Sequence, residues 1–121
     1  MLDRIYNLEE KRRLVDTMMA AADAYLTGNI EPIETARSLS GFCGKDKELD
    51  KILLAFAAVN SETEALPLGD VRQHWNADSL KREDIKIAAA ELRFREAVAA
   101  ACRNLLKMLT PLAAELSDQR L

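Results

Sequence analysis

The chain has 121 residues, 49% of them hydrophobic and 31% charged, with 17 basic against 20 acidic side chains. That length fits a single domain with one core, and apolar content this high excludes a chain disordered throughout. Four glycines and three prolines are too few for a loop-rich β-sandwich, and the abundance of Ala, Leu, Glu, Arg and Lys points to an all-α domain.

The first predicted helix opens at Asn7, with Glu10 three residues on in the manner of a capping box. Leu8, Leu14, Val15, Met18, Met19, Ala22, Tyr25 and Leu26 gather on one face of it. Glu9, Arg12, Arg13, Asp16 and Asp23 fall largely off that stripe, and Gly28 is a natural left-handed terminator. In the short helix that follows, Asn29 or Glu31 supplies the start and Pro32 suits the first turn. Ile33, Ala36 and Leu39 share one side before Gly41 stops it. Phe42, Cys43 and Gly44 make a tight link expected to tuck against the core. Asp46 caps a third helix, with Leu49, Ile52, Leu53, Phe56, Ala57 and Val59 on a broad buried face and Asn60 as its stop.

Residues 61–69 hold the main cluster of helix breakers, including Pro67 and Gly69. Asp70 is expected to cap a brief helix through Trp75. A long helix begins around Asn76 to Ser79 and runs to Leu109, a length of about 45 Å. Thr110 and Pro111 should end or kink it and leave a short helix through Leu116. The expected architecture is an irregular bundle of three main helices plus two or three short ones. Ala88, Ala89, Ala90, Ala97, Ala99, Ala100 and Ala101 fit either close core packing or a homodimer seam along the last helix.

The first ten residues lack the apolar stretch of a secretory signal, and no run approaches the roughly 18 apolar residues of a membrane span. The expectation is a cytoplasmic protein without membrane contact, its two cysteines, Cys43 and Cys102, reduced. A net charge of −3 argues against nucleic acid, as do the interleaved signs of the last helix. The glycines at 28, 41, 44 and 69 stand at helix ends, without the spacing of a phosphate-binding loop.

Chemistry that breaks bonds needs a base or a metal. Glu62, Glu64 and Asp70 lie close to His74 in sequence, but no Glu-x-x-His pair accompanies them. The run Asp46-Lys47-Glu48-Leu49-Asp50 lacks the central glycine and terminal glutamate of a calcium loop. No metal and no cofactor are expected. His74 is the single histidine, and on an α-helix Asp70 four residues earlier would orient its imidazole. No nucleophile is tied to it by a motif, so an enzyme using His74 as base ranks third. Trp75 and Arg72 are of the types that dominate binding hot spots. Glu62, Glu64, Asp70, Arg72, His74 and Trp75 are therefore the candidate partner-binding residues of a non-enzymatic protein-binding module. A structural or regulatory homodimer built on the last helix is second.

The stretch Asn60-Ser61-Glu62-Thr63-Glu64-Ala65-Leu66-Pro67-Leu68-Gly69-Asp70-Val71-Arg72-Gln73-His74-Trp75, followed by a helix carrying Ala101-Cys102, resembles a pattern in small, largely uncharacterised bacterial helical proteins. The resemblance spans roughly residues 30–107 and extends to immunity proteins of contact-dependent growth inhibition. It implies an all-helical cytoplasmic protein that neutralises a cognate toxin by occluding its surface. Many nuclease toxins are basic, so Glu62, Glu64 and Asp70 would speed the encounter, with Arg72 or Trp75 as central anchor.

Overall fold

The computed structural model describes residues 1–119, which form four α-helices and one 3-10 helix without any strand. Helix α1 spans Leu8–Leu26, α2 Pro32–Ser40, α3 Lys47–Thr63 and α4 Ala77–Asp118, with the 3-10 turn Gly69–His74 between α3 and α4. The fold is all-α. No helix among the described residues is long and apolar enough to cross a membrane.

The helix starts follow the sequence closely. Side chains of Asn7, Asp46 and Asn76 accept from the N–H groups of Glu10, Leu49 and Ser79, which satisfies donors that the first turns leave free. Pro32 occupies the first turn of α2, where its missing N–H costs nothing. Gly28 ends α1 with φ +82, a conformation that an L side chain adopts only under strain.

The helix ends depart from expectation in two places. Helix α3 continues past Asn60 to Thr63, because Ser61, Glu62 and Thr63 tolerate helix and the true breakers come later. The Thr63 hydroxyl turns inward and donates to the Val59 carbonyl at 2.7 Å. Helix α4 does not stop at Pro111 but runs on to Asp118, 42 residues in all, or about 63 Å. Pro111 and Lys107 both face solvent, so water can take up the Lys107 carbonyl that proline leaves without its N–H partner.

One core draws on all four α-helices. Val15, Met18 and Ala22 of α1, Ala36 and Leu39 of α2, Leu53 and Phe56 of α3, and Val98, Cys102, Leu105 and Leu109 of α4 meet there almost without exposure. Phe42 and Cys43 pack against its edge, as the apolar link after α2 suggests. The alanine cluster divides: Ala101 is buried, Ala90 and Ala99 are half-buried, and Ala88, Ala89, Ala97 and Ala100 are exposed.

Two more side chains are buried with this core, Arg12 against the sequence reading and Leu2 without one. Arg12, off the apolar stripe, is 6% exposed, and its Nε donates to the Leu116 carbonyl. Leu2 is fully buried with φ +60, held by Asp46, whose Oδ1 accepts the Leu2 N–H at 3.0 Å. Burial opposes ionisation of Asp46, yet the N–H groups of Leu2 and Leu49 outweigh it and hold the carboxyl below its usual range.

The core occupies only part of α4. Tyr25 donates to the Arg95 carbonyl and Arg12 to that of Leu116, so α1 lies antiparallel along residues 95–116. Of the preceding turns of α4, Ile87 alone is buried among the described side chains. That leaves the first half of α4 to meet the connection from α3.

Candidate functional site

The 64–76 connection folds back between α3 and α4 and is tied down at three points. Arg37 of α2 donates through Nη2 to the carbonyls of Thr63, at 2.5 Å, and Leu66, at 3.0 Å, joining the end of α3 to the connection that follows it. Pro67 is buried. Arg72 donates to the Pro67 carbonyl at 3.2 Å and forms a two-pronged pair with Asp84 of α4 at 2.8 and 3.2 Å. Hydrogen bonding between these two raises the Arg72 pKa and lowers that of Asp84.

This bracing opens a groove of about 500 Å³ between the connection and α4. Its apolar lining comes from Leu66, Trp75, Ala90 and Phe94, and its rim from Glu62, Glu83, Lys86 and Arg93. Arg93 lies over the Phe94 ring, 4.7 Å from its centroid, and reaches Glu62 at 3.4 Å. Lys86 pairs with Glu83 at 3.1 Å. Apolar walls with a few charges of both signs at the edge are the make-up of a pocket that accepts an apolar side chain and orients what surrounds it.

The candidate residues separate into three groups. Glu62 and Trp75 line the groove, and Trp75 is 37% exposed. Arg72 stands behind it as a brace. Glu64, Asp70 and His74 are exposed and outside the lining. Asp70 does not cap a helix, since the 3-10 turn starts without any side-chain cap bond. It is also not bonded to His74 among the described residues. In a 3-10 helix three residues complete a turn, so positions four apart point about a third of a turn away from each other. The alignment expected on an α-helix is therefore lost.

Sequence reasoning missed Phe94, Ala90, Lys86, Arg93 and Arg37. Phe94 shares an i, i+3, i+4 pattern with Ile87, Ala90 and Val98, which reads as core continuing along α4. Phe94 does pack against the edge of the core, and only the tertiary arrangement reveals that it also borders the connection. Nothing in the sequence around Arg37 signals that it reaches the carbonyls of Thr63 and Leu66.

The remaining reactive groups are quiet. Burial pushes the Cys102 thiol up to about 11, and burial also raises Cys43, so both stay protonated near neutral pH. A second cleft of about 380 Å³ is lined by Asp3, Arg4, Gly44, Lys45, Asp46, Lys47 and Asp50. Its inner carboxylates are occupied, Asp46 by Leu2 and Leu49 and Asp50 by the Gly44 N–H. No group of three metal-ligating side chains occurs among the described residues.

Comparison with protein-family models, curated proteins and solved structures finds no significant match to this chain. What bears on function is the chemistry of the groove.

Proposed function

We propose that this protein is a non-enzymatic binding module that recognises a partner protein through the groove between the 64–76 connection and α4. The observation that carries this reading is the half-open Trp75 beside Leu66 and Phe94, framed by Glu62 and Arg93. A partially exposed tryptophan in an apolar recess is the kind of anchor whose loss costs a complex about 2 kcal/mol or more. The exposed His74, without an orienting carboxylate, gives catalysis little footing.

The biological setting implied by the resemblance is toxin neutralisation, in which the module covers its partner's working surface by rigid association. The bracing by Arg37 and Arg72 favours that mode, since a groove already shaped loses less entropy on binding. The test is to isolate the tagged protein from its native cells and measure partner stoichiometry. Wild type should carry one protein partner in fixed ratio, and Trp75→Ala with Phe94→Ala should lose it while keeping the helical spectrum. A protein that travels alone in both forms would refute the proposal.

A further inference from the structure

The outer face of α4 lies half a turn from the side that carries Ile87, Val98 and Leu105 inward. On it, Ile85 is 73% exposed and Leu92 76% exposed. Ala88 and Ala89 stand exposed between them, and Lys81 and Glu96 stand exposed one turn beyond at either end. Steps of three and four residues put all six on one stripe, about 22 Å long. The fold of a single chain leaves most of both aliphatic side chains in water.

The stripe reads the same from both ends, except that the charge changes sign. Outward from Ala88 and Ala89, one direction meets Ile85 and then Lys81, and the other meets Leu92 and then Glu96 at the same spacings. Neither Lys81 nor Glu96 makes an ion pair among the described residues. The nearby cations Lys86, Arg93 and Arg95 are held by Glu83, Glu62 and Glu31, so they do not compete for Glu96. Residues 77–96 carry five acids and five bases, so recognition here falls to local matching of charges and not to attraction by a field of one sign.

We propose that this stripe pairs with the same stripe of a second copy, antiparallel, about a two-fold axis at Ala88 and Ala89. In that register Ile85 packs on Leu92 of the partner subunit and Lys81 meets Glu96 of the partner subunit, each contact made twice by symmetry. The alanines at the axis let the two helices approach closely. Asp78 and Arg103, also exposed and without ion pairs among the described residues, continue the alternation within one turn of each other across the axis. Arg82 and Arg95 are equally far from the midpoint but lie on opposite flanks, so they do not face each other. A parallel pair would set Lys81 on Lys81 and Glu96 on Glu96, and an antiparallel pair centred on Ile85 would press Leu92 against Asp78. Ala90 and Phe94 point away from the stripe, so the groove at Trp75 stays open in this dimer.

The test is sedimentation equilibrium of the full chain from about 1 μM to about 1 mM, where a reversible monomer–dimer equilibrium is expected. Lys81→Glu and Glu96→Lys should each weaken dimerisation about tenfold or more, since each turns two attractive pairs into repulsive ones. A one-to-one mixture of these two variants should dimerise again, because each supplies the sign that the other lacks. The double variant carrying both changes should also regain it. Leu92→Glu, at an exposed site that keeps the helical spectrum, should stay monomeric across the range. Trp75→Ala should dimerise like wild type, which separates this surface from the groove. A wild-type chain that is monomeric at the highest concentration, a dimer indifferent to Lys81→Glu, or a mixture no stronger than its components would each overturn the proposal.

Discussion

Arg12 Nε donates to the Leu116 carbonyl at 3.0 Å across 104 positions of sequence. The contact fastens the last turns of α4 to the start of α1, and Glu9 holds the same guanidinium from its other side. A cation near a helix C-terminus also meets the negative end of the helix dipole. Arg12→Ala removes the donor from a buried carbonyl, so the expected loss is about 2 kcal/mol by urea unfolding. Arg12→Lys keeps the charge without the fork and should recover only part of it.

Pro111 sits inside α4 with no helical N–H to give. The neighbouring Thr110 hydroxyl donates to the Leu106 carbonyl at 2.6 Å, one turn back. Because position 111 is exposed, Pro111→Ala should restore a backbone bond without a packing change. The expected gain is about 1–3 kcal/mol, read as a higher urea midpoint at unchanged slope.

The helix starts and the core faces were legible because they depend on local chemistry. Asn7, Asp46 and Asn76 cap by reaching only three residues forward, and the stripe of Leu14, Val15, Met18 and Ala22 needs only helical spacing. Arg12 and Pro111 were misread and Leu2 went unread, because each is decided beyond local spacing: a carbonyl 104 residues away, a solvent-facing orientation, and a carboxylate 44 residues away. The same division runs through the site. Trp75 and Glu62 stand in a dense run of distinctive side chains, whereas Phe94 is distinguished from a core residue only by what lies opposite it.

Arg72 and Asp84 bind the connection to α4 without being buried, so their pairing is expected to act on local order more than on global stability. Arg72→Ala should speed amide exchange across residues 64–76 and leave the melting temperature nearly unchanged. The charge-swapped pair Arg72→Asp with Asp84→Arg should recover much of the protection. Unchanged exchange in the single variant would mean that Arg37 and Pro67 hold the connection unaided.

Glu91 is pushed above the ordinary glutamate value of 4.5, first by burial and then by the Glu31 carboxylate beside it. Its folded form holds a proton more firmly than its unfolded form, so its contribution to stability is greatest at low pH. That contribution falls as pH rises from the ordinary glutamate range through the raised value. Glu91→Gln should flatten this part of the stability profile and make the variant the more stable form at neutral pH. Parallel profiles for the two proteins would contradict the assignment.

The most direct measurement of the groove's role is photo-crosslinking in the native cells, with a benzophenone amino acid at Ala90 in the groove or at Ala20 on the exposed face of α1. The account predicts one discrete heteromeric adduct from position 90, absent from position 20 and abolished by Trp75→Ala. Adducts of equal yield from both positions, or none from position 90, would contradict it.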